Sequence, residues 1–175
     1  MEISHMKGGK VTSVRKSKIK LVHMKSYFKD RSAILKRLQK NPTIYEVYEV
    51  AHEGLSYAQT TLHAGRIGKE FFMTRGHVHI SGDPEIYYVI SGKGILLIEN
   101  ETCNHMLLRR GCIAYVPKDM RHRMVNVGRY PFIFVAFYPT GIGHDYRHVE
   151  AHGFTKQVVE KRGGWVLEGR MGKKV

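Results

Sequence analysis

Two imidazoles one residue apart, His77 and His79, followed by a carboxylate at Glu85, are the residues of this chain whose types and spacing could do chemistry. Alternate residues of a strand point the same way, so both rings fall on one strand face. The breaker-rich Ser81-Gly82-Asp83-Pro84 turns the chain back and lets Glu85 approach them from the returning strand. Downstream, Tyr115-Val116-Pro117 ends a strand and Pro117-Lys118-Asp119 turns, which lets His122 begin another strand facing inward. The expected set is therefore His77, His79, Glu85 and His122. Three neutral nitrogen donors and one carboxylate suit a divalent first-row transition metal better than calcium or magnesium, and they leave open positions if the ion is octahedral. One divalent ion is expected, and iron(II), manganese, nickel and zinc are all acceptable to these donors. A lone histidine on a strand usually binds nothing. Of the eleven histidines most, including His23, His52, His63, His105, His148 and His152, are expected to stay outside the site.

The elements that must carry these residues are short strands. Segments rich in Ile, Val, Tyr and Phe recur at 43–50, 57–63, 71–73, 86–90, 95–99, 105–108, 113–116, 123–126 and 132–138, most of them separated by glycine or proline turns. Strand-like pattern resumes at 154–159 and 165–167, around a turn at Gly163-Gly164. Many short strands at this spacing predict an all-β jelly-roll barrel or sandwich, whose closure also removes exposed sheet edges. Before them, residues 7–29 are basic and read as an extended arm with one short strand; a nucleic-acid contact is the alternative to a solvated strand packed on the barrel. Asp30 can cap a helix beginning at Arg31 with Ile34, Leu35 and Leu38 on one face, and Asn41-Pro42 ends it. The chain thus divides into an arm and short helix, 1–41, packing on a barrel, 42–175, within a single domain. Met73, Met106 and Met124 read as core filler.

Composition narrows the partners. The 175 residues carry 29 Lys and Arg against 15 Asp and Glu, a net charge of +14, so the surface attracts anions: nucleic acid, acidic membranes or phosphorylated metabolites. Cys103 and Cys112 lack metal or disulfide-scaffold spacing and are expected to be reduced and structural. No apolar run of membrane-spanning length and no secretory signal is visible, which leads us to expect a cytoplasmic protein without membrane contact. Ser4-His5-Met6 reads as a cloning remnant, and His5 is not counted as a candidate.

His77, His79, Glu85 and Gly92, then Gly111, Pro117, His122 and Asn126, resemble the two motifs of the cupin superfamily. The likeness extends through residues 60–65, Gly68, Glu70, Thr74, Gly76-His77, Glu85-Ile86-Tyr87, Gly92-Lys93-Gly94, Pro131-Phe132-Ile133-Phe134, Tyr138-Pro139 and Gly143-His144-Asp145-Tyr146. Over roughly residues 42–160 the chain is similar to the archaeal cupin-type glucose-6-phosphate isomerases. Between His79 and Glu85 it is one residue shorter than is usual there. The resemblance implies a cupin jelly-roll barrel, or double-stranded β-helix. It implies a metal-dependent aldose–ketose isomerase that interconverts glucose 6-phosphate and fructose 6-phosphate in glycolysis and gluconeogenesis. It places Glu85, His144 and Tyr146 in catalysis, Tyr45, Thr60, Thr74 and Gly76 at the phosphate, and Tyr87 at the sugar; Arg75 and Lys69 could add charge. Glu85 as general base competes with Glu85 as ligand for the same lone pairs, and a direct hydride shift is the rival mechanism. A homodimer is expected, through 132–138 or the arm. The alternatives are a mannose 6-phosphate isomerase, a dioxygenase, or a non-enzymatic sugar-phosphate- or nucleic-acid-binding cupin. No helix-turn-helix or RNA-binding motif favours the last, so nucleic acid is not an expected partner.

Overall fold

The computed structural model describes residues 11–169, so the first ten lie outside the described residues; the described part of the arm begins as a strand. β1 (Val11–Lys20) runs antiparallel to β2 (Thr43–His52) as the edge of the main sheet, longer than the short strand expected. A 3-10 turn, Leu21–Met24, buries Leu21 and Met24. The helix α1 (Arg31–Leu38) follows, its N-terminus capped as expected by the Asp30 carboxylate, which accepts from the Ala33 N–H at 2.9 Å. Ile34 is buried but Leu35 is 68% exposed, a correction to the expected apolar face. Eight residues make only about two turns, and the helix packs on the 3-10 turn and the short strand Arg66–Ile67 through Ala33, Ile34 and Leu38, leaving Leu35 outside.

β3 (Leu55–Leu62), β4 (Arg66–Ile67), β5 (Glu70–Phe71) and β6 (Val78–His79) lead into β7 (Glu85–Ser91), β8 (Lys93–Glu99), β9 (Cys103–Arg109), β10 (Ile113–Val116), β11 (Arg121–Asn126) and β12 (Phe132–Pro139). The chain then passes through β13 (His144–Asp145), α2 (Arg147–His152), β14 (Lys156–Lys161) and β15 (Gly164–Gly169). The order β1-β2-β3-β12-β7-β10 forms one six-stranded sheet; β11-β8-β9 forms a second, β15-β14-β5-β4 a third, and β13-β6 a two-stranded pair. The expected strand at 71–73 is cut to Glu70–Phe71 because Met73 makes only an isolated bridge to Val125.

The core is sealed by Leu62, Ile95, Leu96, Met124 and Phe132, all at 1% exposure or less. Each such side chain contributes roughly 1.5–3 kcal/mol of burial. Phe132 fits because Gly94 faces it: a Cβ there would stand 2.2 Å from the ring. Met73 and Met124 are core residues, but Met106 is 38% exposed on β9, a correction to its reading as filler. Its neighbour Leu107 is 37% exposed as well, so this stretch of β9 lies at the surface on both faces while Leu108 is buried. Both cysteines are free thiols, and burial pushes Cys103 up to about 11, out of reach of easy ionisation. Among the described residues, no helix is long and apolar enough to cross a membrane.

Asn126 shows why the second motif needs its amide. Fully buried, its side chain donates to the carbonyls of Leu62 and Tyr130, both at 2.9 Å, and accepts from the Gly128 N–H at 2.8 Å. It ties the β11–β12 turn to β3, which fixes how β11 crosses the barrel.

Candidate active site

Four ligand atoms, one each from His77, His79, Glu85 and His122, lie within 4.8 Å of one another. They come from different sheets: Glu85 opens β7, His122 lies on β11, His79 ends β6, and His77 bridges to His122 through paired backbone bonds of 2.9 and 3.2 Å. The short segment between His79 and Glu85 still closes. The Gly82 N–H returns to the His79 carbonyl at 3.1 Å, at a positive φ of 75° that only glycine takes without strain.

The imidazoles are set for ligation. His79 Nδ1 lies 2.6 Å from the Asp83 carbonyl and His122 Nδ1 lies 2.9 Å from the Met120 carbonyl. A carbonyl only accepts, so each Nδ1 is assigned the proton and each Nε2 turns a lone pair inward. There, His122 Nε2 stands 2.7 Å from Glu85 Oε1 and 3.0 Å from His77 Nε2. The buried His79 Nε2 and Glu85 Oε1 have no hydrogen-bond partner. Acceptors crowded on one point are what a cation satisfies. Donors about 2.1 Å from an ion lie at most about 4.2 Å apart across it, so this cluster closes on a single ion with small shifts. The residues present therefore fit a first-row divalent metal.

Charge states agree with that fit. Burial holds His77 well below the usual imidazole value, reinforced by His122, His144 and His79. Burial likewise lowers His79, against the opposing pull of the Asp83 carbonyl and Glu85. For Glu85 burial acts upward, but His122, a hydrogen bond from Tyr87 and His79 outweigh it, leaving the carboxyl below its ordinary range. Near neutrality His77 and His79 are therefore neutral donors and Glu85 a carboxylate, the states in which they ligate.

A cavity of about 520 Å³ opens beside the cluster. Strand alternation lines it: Arg15, Ser17 and Ile19 on β1, Tyr45, Val47 and Glu49 on β2, Ala58 and Thr60 on β3, then Phe134, Ala136 and Tyr138 on β12, with Glu85 and Tyr87 on β7. Thr74, Arg75, Gly76, His144 and Tyr146 complete the wall. The His144 ring packs edge-on against His77 at 4.4 Å between centroids, and burial lowers its pKa. Tyr146 stacks beside His144 at 6.2 Å. The Tyr87 ring lies 6.1 Å from His122, and burial, then Glu85, hold its hydroxyl protonated.

The segment 74–76 is held by β11. Thr74 Oγ1 accepts from the Met124 N–H at 3.1 Å, which leaves its own hydrogen free to donate into the cavity. Arg123 grips the Arg75 carbonyl through Nε at 3.2 Å and through Nη2, its guanidinium set between the rings of Tyr27 and Phe154. Gly76 has φ +77°, and a Cβ there would stand 2.9 Å from the Phe154 ring.

All of the sequence-derived candidates Tyr45, Thr60, Thr74, Gly76, Tyr87, His144 and Tyr146 reach this cavity, as does Arg75. Lys69 does not line it: its carbonyl accepts from the Glu160 N–H, beside the β4–β5 turn. Sequence reasoning missed Arg15, Glu49 and Tyr138 as cavity residues, and Arg123 as the clamp on Arg75. Period-two alternation with Tyr45 marks Glu49 as facing the same side, a signal available in the sequence; the Arg15 position depends on which strand β1 pairs with.

A jelly-roll barrel with three imidazoles and one carboxylate gathered at a cavity from both motifs is a cupin. Within the cupins, this chain belongs to the glucose-6-phosphate isomerase family, whose model matches residues 36–171. The glucose-6-phosphate isomerase of Thermococcus onnurineus is 41% identical over 162 residues, 89% of this chain and 86% of that one. The Pyrococcus furiosus enzyme of the same name is 39% identical over 163 residues, covering 89% and 86%. Among solved structures, Bacillus subtilis oxalate decarboxylase aligns with 54% of this chain and 25% of its own, at 24% identity and a TM-score of 0.47.

Proposed function

We propose that this chain is a metal-dependent aldose–ketose isomerase that interconverts glucose 6-phosphate and fructose 6-phosphate. The observation that carries the reading is the cluster of inward-facing imidazole lone pairs and an ionised carboxylate, set in the wall of a cavity of about 520 Å³, in a chain of this family. That volume lies within the usual range for small-molecule sites. Stripping the protein of metal should abolish turnover of glucose 6-phosphate, and adding back a divalent ion should restore it. Activity that survives exhaustive chelation, or a preparation that consumes oxygen instead, would refute it.

Isomerisation moves a hydrogen between adjacent carbons, one hydroxylated and one a carbonyl, so the requirement is to lower the cost of negative charge on two neighbouring oxygens. When bound to His77, His79, Glu85 and His122, an ion supplies that Lewis-acid polarisation, with iron(II) the expected species. The Tyr45, Thr60 and Thr74 hydroxyls, the Gly76 N–H and the Arg75 guanidinium would hold the phosphate. Tyr87 would orient the sugar. His144, neutral through burial, and the Tyr146 hydroxyl would manage the proton transfers of ring opening. The ionised state of Glu85 suits it as ligand; as general base it would carry a proton between the two carbons only from an oxygen not engaged with the ion.

The same reading places the protein in the cytoplasm, in glycolysis and gluconeogenesis, as a homodimer. Supporting the dimer is an apolar stripe on the outer face of the six-stranded sheet, where Tyr57 pairs with Phe137, Phe137 with Ile86 and Ile86 with Tyr115. Neighbouring Tyr88 and Ile113 are 43% and 71% exposed. A contiguous exposed apolar face of this kind marks an association surface. The double variant Ile113→Glu, Tyr115→Lys should elute as a monomer under light scattering; a wild-type monomer would refute the assembly.

A further inference from the structure

One wall of the cavity holds a carboxylate that neither motif contains. Glu49 is the sole acidic residue besides Glu85 among the described cavity residues, and its side chain is 21% exposed. Its Oε1 accepts the Tyr138 hydroxyl at 2.8 Å, and its Oε2 accepts from Arg15 Nε at 3.0 Å and from Nη2. A carboxylate has about four acceptor positions, so a free one remains on Oε1 beside Tyr138. The Tyr138 hydrogen is committed to Glu49, which turns the phenol oxygen into a pure acceptor as well.

Register sets what lies next to this carboxylate. Arg15, Glu49, Ala58, Ala136 and Tyr87 form one continuous row across five strands. The two alanines are the smallest side chains that a floor can have, and they leave space between Glu49 and Tyr87. The cationic and donor groups suited to a phosphate, Arg75 and Thr74 with Gly76, belong instead to the segment that β11 clamps.

We propose that Glu49 is a specificity-determining residue, accepting a hydroxyl of the bound sugar and, as an anion, confining the phosphate to the Arg75 side of the cavity. This rests on the isomerase reading and adds to it the residue that reads the polyol. Burial acts to raise the Glu49 carboxyl, but hydrogen bonds from Arg15 and Tyr138 and the Arg15 charge outweigh it and keep it ionised near neutrality. Buried or half-buried carboxylates held by two fixed donors keep their geometry, which is what reading a hydroxyl requires.

The test uses the metal-loaded full chain with Glu49→Gln and Glu49→Ala. KM for glucose 6-phosphate should rise about tenfold in each, with kcat within about threefold, the loss expected for one hydrogen bond to a charged group. The second readout is competitive inhibition by glucitol 6-phosphate and its 3-deoxy and 4-deoxy analogues. In the wild type, deleting one of these hydroxyls should weaken inhibition about tenfold, and the same deletion should cost nothing in Glu49→Ala, since paired removals of contacting groups are not additive. A merely structural role would leave the deoxy penalty intact. Unchanged KM and an unchanged deoxy penalty in both variants overturn the role of Glu49 alone; if neither variant folds, a wild type indifferent to both deletions overturns it equally. A wild type that does not turn over glucose 6-phosphate overturns the isomerase reading instead.

Discussion

Removing the ion should weaken the fold as well as the activity. The four ligands come from β6, β7, β11 and the His77 bridge, elements distant in sequence and spread over separate sheets, so an ion bound to them is a cross-link that the unfolded chain lacks. Because His77, His79 and Glu85 are already in their ligating charge states near neutrality, little binding energy is diverted to deprotonating them. At a free ion concentration a thousandfold above its dissociation constant, mass action stabilises the native state by about 4.1 kcal/mol. For a domain of this size each kcal/mol moves the midpoint by about 2–4 °C, so the melting temperature should rise by about 8–16 °C when manganese is added to chelator-treated protein at pH 7. His122→Ala removes the donor closest to both Glu85 and His77 and should reduce that shift to under about a third. Scanning calorimetry with EDTA and with excess manganese, on both proteins, is the assay. A wild-type midpoint indifferent to the ion, or a full shift retained by His122→Ala, would refute the assignment of these four atoms to one metal.

Acid should destabilise the metal-free protein early. Burial depresses His77, His79 and His144, whereas the unfolded chain titrates near the ordinary value of about 6.5. The unfolded state therefore binds protons that the folded state refuses, so stability is complete above about pH 6.5 and falls below it, by up to about 1.4 kcal/mol per pH unit for each group. Urea midpoints between pH 5.5 and 8 should trace that fall, and a flat profile would contradict it. Gly76→Ala, forced into a positive φ against the Phe154 ring, should cost at least about 1–2 kcal/mol in urea unfolding and weaken metal affinity through the adjoining His77. Glu99 is 1% exposed and accepts from the Thr155 N–H, the Thr155 hydroxyl and Arg121. Glu99→Ala removes these hydrogen bonds to a charged group and should cost about 1.5–3 kcal/mol, read by the same unfolding assay, where a loss under about 0.5 kcal/mol would be the contrary result.

The sequence by itself marked the four candidate ligand side chains that the structure gathers, the turns that deliver them and most of the strands. Those features are local: alternation within a strand puts His77 and His79 on one side, and Gly82, Gly92 and Gly111 take backbone conformations that other residues resist. It also carried the capped start of α1, because an N-cap involves residues three apart. Only the tertiary structure decided that Arg15 and Glu49 share a row with Tyr87, that Tyr138 donates to Glu49, and that Arg123 holds Arg75. It also decided that Leu35 and Met106 face outward, and that residues 147–152 form α2 beside the site. The physical reason is register: alternation says which residues share a face, but which face meets which neighbour depends on pairings between strands far apart in the chain, and a slip of one residue would exchange the two faces.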